Sequence, residues 1–219
     1  MKKAFIIVSF LLSLQLFSQE NTTPQKMISE IQQIKQTGES MKLVWWIPTE
    51  YWQVALKEQK NITQQQTDYI KNLFNDYTII IAGDFSLVQS NSDLDFMVND
   101  VKKSFSLLNK DDQKIMPLKE SEVDDQVTLL MNDVLKPLFV QMLGKMGSGV
   151  EIFIYNNKDK SGKRIIHPKE SGTLKAKMGN SLFEWKLPLV SLMTDKICKE
   201  DSEIFPGNYV YCPFHGTKL

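Results

Sequence analysis

The side chains with the clearest chemical potential lie near the C-terminus, where the chain carries its two cysteines, Cys198 and Cys212. A disulfide between them would close a loop of about 15 residues and contribute about 3 kcal/mol on the chain-entropy model. Bound metal and free or intermittently paired thiols are the alternatives. In each interpretation the tail is a structural clip and no catalytic centre.

The sequence around the second cysteine resembles the second knuckle of a zinc ribbon, which normally reads Cys-Pro-x-Cys-Gly. Here Cys-Pro-Phe-His-Gly begins at Cys212. The resemblance implies a ligand set of Cys198 and Asp201 with Cys212 and His215, and zinc as the metal that it could hold. If a tight turn is centred on residues 206–207, Cys198 opposes His215 and Asp201 opposes Cys212, so the four side chains converge at one end of a hairpin.

The layout of the whole chain resembles a family of exported bacterial proteins of unknown function. The shared pattern is an apolar N-terminal segment, the stretch Val-Trp-Trp-Ile-Pro-Thr-Glu-Tyr-Trp at 44–52, the strand Phe-Glu-Trp-Lys-Leu-Pro at 183–188, and a Cys-Pro-x-His-Gly-Thr-Lys-Leu ending. This resemblance implies export and a shared fold, and it implies no activity.

An aromatic cluster of Trp45, Trp46, Tyr51 and Trp52 is the main candidate for ligand binding. Aromatic side chains stack on sugar rings and anchor peptides. Glu50 would be a polar neighbour in such a groove. Because adjacent residues of a strand point to opposite faces, Trp45 and Trp46 cannot share one surface. Core packing is the alternative interpretation of the cluster.

Motifs of known catalytic classes are missing from the sequence. It contains no nucleophile elbow and no H-E-x-x-H pair. The glycines at 144–149 follow a predicted helix instead of opening one, and Val150 stands where a phosphate-binding loop needs Lys. The oxygens at 91–95 lack the glycine and glutamate of a calcium loop. Asp84 and His167 remain as a candidate hydrolase pair, provided that they meet in the fold.

Composition excludes several further classes. The chain has 219 residues, with 26 Lys plus Arg against 26 Asp plus Glu, so it has no net charge to attract nucleic acid. Two histidines cannot build a His-rich metal centre, and two cysteines cannot build a disulfide-dense scaffold.

The N-terminus indicates export. Residues 1–19 combine a basic start, an apolar run of about 14 residues and a small residue near 18, which is the pattern of a secretory signal peptide. We therefore expect a periplasmic or secreted protein with no membrane span after cleavage, in a compartment where a disulfide persists.

Periodicity predicts an α+β fold with a mostly antiparallel sheet, several helices including one long kinked helix, and a C-terminal hairpin clip. The α+β domain covers residues 20–190 and the tail covers 191–219. A capping box at Thr63 begins one helix, and Pro137 should kink the longest helix. Helices are predicted at 23–37 (a loosely held surface helix), 49–59, 64–77 and 121–146, and strands at 42–47, 77–82, 85–88, 94–98, 105–108, 150–155, 164–166, 173–178 and 182–187.

These observations favour an exported, non-catalytic binding or envelope-associated protein whose partner is an envelope component or a small ligand. An envelope hydrolase assembled from distant segments is the competing hypothesis. A metal-binding module that uses the C-terminal tail is the third.

Overall fold

The computed structural model describes residues 23–57, 62–90, 93–109 and 111–219. The predicted signal peptide, residues 1–19, lies outside this part of the chain. The helices are α1 (Thr23–Ile31), α2 (Thr49–Lys57), α3 (Gln64–Phe74), α4 (Val101–Ser104), α5 (the joined segments Asp125–Leu129, Leu130–Leu135 and Lys136–Leu143) and α6 (Lys145–Ser148). The strands are β1 (Gln32–Thr37), β2 (Ser40–Ile47), β3 (Tyr77–Ser90), β4 (Asp93–Val98), β5 (Phe105–Leu108), β6 (Lys114–Ile115), β7 (Glu151–Asn156), β8 (Gly172–Met178), β9 (Ser181–Leu187), β10 (Lys196–Ile197) and β11 (Ile204–Phe205).

All strand pairs are antiparallel, and they form three sheets. The first has the order β1-β2-β3-β4, with β7 beside the first half of β3. The second has the order β6-β5-β8-β9, and the third is the β10-β11 hairpin of the tail. The predicted α+β class with antiparallel sheets, a long kinked helix and a C-terminal hairpin is confirmed.

The two neighbouring tryptophans of β2 show how the layers stack. The Trp45 ring lies edge-on to Phe139 of α5, with centroids 6.4 Å apart. The Trp46 ring points to the other face and lies edge-on to Trp185 of β9, at 6.3 Å. The first sheet is therefore packed between α5 and the second sheet, as opposite pointing of adjacent strand residues requires.

The prediction of one helix over residues 23–37 is wrong for its second half. The helix ends at Ile31, and β1 continues to Thr37 in antiparallel pairing with β2. The helix is also no loose surface element, because Met27 and Ile31 are fully buried and the Ile31 carbonyl accepts a hydrogen bond from the Trp185 indole. Pairing with β2 has overridden a weak helical stripe.

Gly83 does not end a strand, contrary to the prediction. β3 runs unbroken through Gly83 to Ser90 and pairs with β7 over its first half and with β4 over its second. The Phe85 ring occupies the space beside Gly83, 2.5 Å from where a Cβ would stand, so glycine here admits a buried ring and makes no turn. The predicted strand at 164–166 is also wrong, since Arg164 makes a single bridge to Lys158.

Helix α5 carries the predicted kink. Pro137 has no N–H group for the helical ladder, and the turn before it widens into a π-helical stretch, Leu130–Leu135. There the Lys136 N–H donates to the carbonyl of Met131, five residues back. Asp125–Leu143 is shorter than the predicted 121–146.

Candidate metal site in the C-terminal tail

The tail contains two turns of the same construction, one at each cysteine. In the first, the Cys198 N–H donates to the Glu203 carbonyl at 2.8 Å, and the Ser202 N–H donates back to the Cys198 carbonyl at 2.9 Å. In the second, the Cys212 N–H donates to the Thr217 carbonyl and the Gly216 N–H donates back to the Cys212 carbonyl, both at 2.8 Å. We call these the first and second knuckles.

The match between the knuckles extends to backbone conformation. The fourth residue after each cysteine has a positive φ, 64° at Ser202 and 67° at Gly216. Such a φ favours glycine, and a non-glycine residue adopts it rarely. The third residue after each cysteine, Asp201 or His215, therefore has the same place in its knuckle.

The side chains of both knuckles converge on the His215 ring. His215 Nδ1 lies 3.5 Å from the Cys198 sulfur and 3.4 Å from the Cys212 sulfur. All three ligand atoms lie within 4.8 Å of one another. Asp201 Oδ2 lies 3.6 Å from the same nitrogen. The four residues named by the zinc-ribbon resemblance are thus brought together.

These distances suit a tetrahedral metal. A zinc ion with Zn–S of about 2.3 Å and Zn–N of about 2.0 Å holds sulfur and nitrogen about 3.5 Å apart. The two sulfur–nitrogen distances agree with that value. Cys198, Cys212 and His215 could therefore hold a metal ion, and the Asp201 carboxylate lies near them, beside His215.

The predicted hairpin register is wrong, although the predicted residues meet. The expected turn at 206–207 would place Cys198 opposite His215. In the structure, Lys196 pairs with Phe205 and Ile197 with Ile204, so the hairpin reverses within the first knuckle. Residue 207 instead packs beside Thr194, whose carbonyl oxygen lies 2.5 Å from where a Cβ would stand.

The surroundings of the site shift the pKa values of three of its side chains. They favour the ionised forms of Cys198 and Asp201, whereas at His215 they favour the protonated ring, which must lose its proton before it can bind a metal. Burial raises the pKa of the Cys198 thiol, but the backbone N–H groups of Glu200 and Asp201, together with the side chains of Cys212 and Thr217, bring the pKa below its usual value. The thiolate is the form that binds metal. Contact with Cys198 raises the pKa of His215. A hydrogen bond from the Glu203 N–H lowers the pKa of Asp201.

The tail has its own hydrophobic cluster, separate from the main core. Cys198, Phe205 and Cys212 are buried in it, and Leu219 packs against them. Four side chains make a very small core, and units below about 40 residues usually need a disulfide, a metal or a partner to fold. In the structure both cysteines are free thiols.

Two further residues of the site were not predicted. The Thr217 hydroxyl lies 3.8 Å from the Cys198 sulfur and acts as an outer contact. Ser202 provides the positive φ of the first knuckle. A sequence signal existed for Ser202, since it follows Cys198 by four positions just as Gly216 follows Cys212.

The predicted aromatic binding cluster lies inside the protein. Trp46 is fully buried, and Trp45, Glu50, Tyr51 and Trp52 are at most 8% exposed. Their burial corrects the expectation of a surface groove and favours core packing, with the Trp52 ring stacked on Phe74 and Glu50 paired with Arg164. Ligand binding by this cluster stays a prediction.

The candidate hydrolase pair is not joined in the structure. Asp84 forms an ion pair with Lys42 at 3.3 Å and accepts a hydrogen bond from the Asn99 side chain at 3.0 Å. The His167 ring accepts a hydrogen bond from the Lys169 N–H at 3.2 Å. Each group is held by different neighbours, and no hydrogen bond connects the two.

Comparisons with protein-family models, curated proteins and solved structures find no match for this chain. No family is therefore identified, and the resemblance to exported bacterial proteins stays a prediction. In the part of the chain that the structure describes, no helix is both long and apolar enough to cross a membrane.

Proposed function

We propose that the C-terminal tail is a zinc-binding module in which the metal holds the tail's fold. The main support is that two knuckles of the same construction bring both cysteine sulfurs close to His215 Nδ1. The distance from this nitrogen is 3.5 Å to the Cys198 sulfur and 3.4 Å to the Cys212 sulfur. Cys198, Cys212 and His215 bind the ion, and Asp201, whose carboxylate lies 3.6 Å from His215 Nδ1, is the candidate for a fourth ligand.

The donor set selects the metal. Two thiolates and an imidazole are soft or borderline ligands, which suit zinc and copper(I) and do not suit calcium or magnesium. A tetrahedral shell with one carboxylate oxygen remains within the range of zinc ligands. We therefore expect zinc to bind more tightly than any hard cation.

The size of the tail supports a structural role. Its buried cluster has four side chains, so ordering residues 194–219 needs a further source of free energy. Metal binding provides that energy, because the ligand side chains converge only in the folded tail. A disulfide between Cys198 and Cys212 is the competing source, and it would leave His215 and Asp201 without a ligand role.

Metal analysis of purified protein tests the proposal. We expect about one zinc per chain by mass spectrometry of the metal content after dialysis. Cys212→Ser and His215→Ala should lose it, and Asp201→Asn should weaken binding less. His167→Ala is the matched control, because it removes the chain's other histidine and should bind zinc normally. Equal zinc content in His215→Ala and the unaltered chain would contradict the ligand assignment.

We also propose that the chain is an exported, non-catalytic binding or envelope-associated protein in the periplasm or outside the cell. The support is the signal-peptide pattern of residues 1–19 and the lack of catalytic motifs. N-terminal sequencing of protein recovered outside the cytoplasm tests this, and an intact Met1 in that protein would contradict cleavage.

A further inference from the structure

A groove of about 470 Å³ lies between strand β7 and the kinked helix α5, remote in sequence from the tail. We call it the β7 groove. Its apolar wall includes the side chains of Leu118, Val123 and Met131, and its floor is the stretch 152–154 of β7. Val123 and Met131 are buried, while Leu118 and the β7 residues are half-buried, so the groove has an apolar and accessible lining.

The edge of β7 that faces the groove carries backbone N–H and C=O groups directed away from β3. The Asn157 N–H donates to the carbonyl of Asp76, which lies just before β3. Odd-numbered residues of β7 therefore direct their N–H and C=O groups toward β3. Even-numbered residues direct theirs away, as the alternation of an antiparallel ladder requires. The Leu118 N–H accordingly donates to the Ile154 carbonyl at 2.7 Å, from the side opposite β3.

Leu118 uses only part of that edge. By the same alternation, the N–H and C=O groups of Ile152 point into the groove, and so does the N–H group of Ile154. An extended peptide of two or three residues can pair with these groups, which is the β-strand addition used by many peptide-binding domains. The length of free edge therefore favours the end of a chain over a long strand.

The charges at one end of the groove indicate which chain end. Lys102 and Lys136 both face Glu151, with their amines 3.5 and 3.9 Å from the same carboxylate oxygen. Two ammonium groups share one carboxylate, so this end has a surplus positive charge. The Lys102 and Lys136 side chains are 68% and 40% exposed, which leaves both amines open to a second anion.

A depression of about 630 Å³ adjoins the groove at Glu120 and Asn132, and Asp125 and Asp133 contribute to its lining. These carboxylates repel a peptide that is acidic along its length. A single negative charge at the end of an otherwise apolar peptide avoids that repulsion while it pairs with the lysines. This charge pattern matches a C-terminal carboxylate.

We propose that the β7 groove binds the C-terminal residues of an apolar peptide or protein tail. The terminal carboxylate pairs with Lys102 and Lys136, the peptide backbone pairs with Ile152, and apolar side chains lie against Val123 and Met131. The partner is thus a protein with an accessible, apolar C-terminus. This proposal is independent of the metal site.

The test uses a library of fluorescein-labelled hexapeptides in which the last three positions contain all combinations of Val, Leu, Ile, Phe and Ala. Each peptide is made as the free acid and as the C-terminal amide, and binding to the full chain is read by fluorescence polarisation. We expect a subset of free acids to bind and their amides to bind about tenfold more weakly, since a charge-assisted contact is lost. Equal binding of acids and amides, or no bound free acid, would overturn the proposal.

Variants of the protein locate the binding site. Lys136→Ala should weaken the best free acid about fivefold and leave its amide unchanged. Lys103→Ala is the matched control, because this lysine adjoins Lys102 but pairs with Asp100 outside the groove. Thr128 also lines the groove, so Thr128→Trp should fill it and abolish binding. Equal loss in the Lys136 and Lys103 variants would place the peptide elsewhere and contradict the proposal, even if Thr128→Trp failed to fold.

Discussion

Removal of zinc should open the tail and leave the rest of the protein folded. The backbone N–H groups that close the knuckles belong to Cys198, Ser202, Cys212 and Gly216. If zinc binds only the closed tail, free zinc at about 1,000 times its Kd adds about 4 kcal/mol to the free energy of opening. Amide exchange at these four positions should then be about 1,000-fold slower with zinc than after chelation.

Hydrogen–deuterium exchange with residue resolution measures this difference. Strands β8 and β9 are the internal control, because their ladder lies in the main core and does not depend on the tail. His215→Ala should exchange in zinc as the unaltered chain does after chelation. If chelation changes the exchange rates of the four amides by less than about threefold, the metal does not stabilise the closed tail, since linkage then assigns it no stabilisation.

Four substitutions test the packing of the domain. Gly147→Ala should lower the free energy of unfolding by more than about 2 kcal/mol, because its Cβ would stand 1.9 Å from a backbone oxygen. The Cβ of Gly172→Ala would meet open space, so this variant should change the free energy of unfolding by less than about 1 kcal/mol. Glu50→Ala should cost about 3 kcal/mol, because it leaves the half-buried Arg164 without its carboxylate. Thr63→Ala should cost about 1 kcal/mol by removing a helix cap. Urea unfolding measures all of them, and equal midpoints for the two glycine variants would contradict the packing described here.

Local chemistry made several elements of the fold predictable. The capping box at Thr63 and Gln66 is present, with both reciprocal hydrogen bonds. Polar and apolar residues alternate in β9, which is typical of a half-buried strand, and its Phe183 and Trp185 side chains are buried. Pro137 marked the kink of α5 because a proline in the interior of a helix has no N–H group for the hydrogen-bond ladder.

Other features depended on contacts that are remote in sequence. Residues 32–37 become a strand because β2 is available as a partner, and no local pattern shows that. Gly83 was predicted to end a strand, but the strand continues through it because the buried Phe85 ring fills the space beside it. The aromatic cluster near Trp45 resembled a binding surface, yet both faces of its sheet are covered by other layers.

The residues of the candidate metal site could be predicted from the sequence, but the geometry that joins them could not. The zinc-ribbon resemblance implied Cys198, Asp201, Cys212 and His215, but a single hairpin about residues 206–207 was the wrong way to join them. The turn of the first knuckle was harder to recognise from the sequence. Ser202 occupies the position at which the second knuckle has Gly216, so the repeated turn lacks its usual glycine.

The intact mass of the native protein, measured before and after chelation and with alkylation of free thiols, distinguishes a zinc-bound tail from a disulfide-bonded one. The metal account predicts a native mass heavier by one zinc ion and alkylation of Cys198 and Cys212 only after the zinc is removed. A mass lighter by two hydrogens, with no alkylation until a reductant is added, would show a disulfide and contradict the metal account.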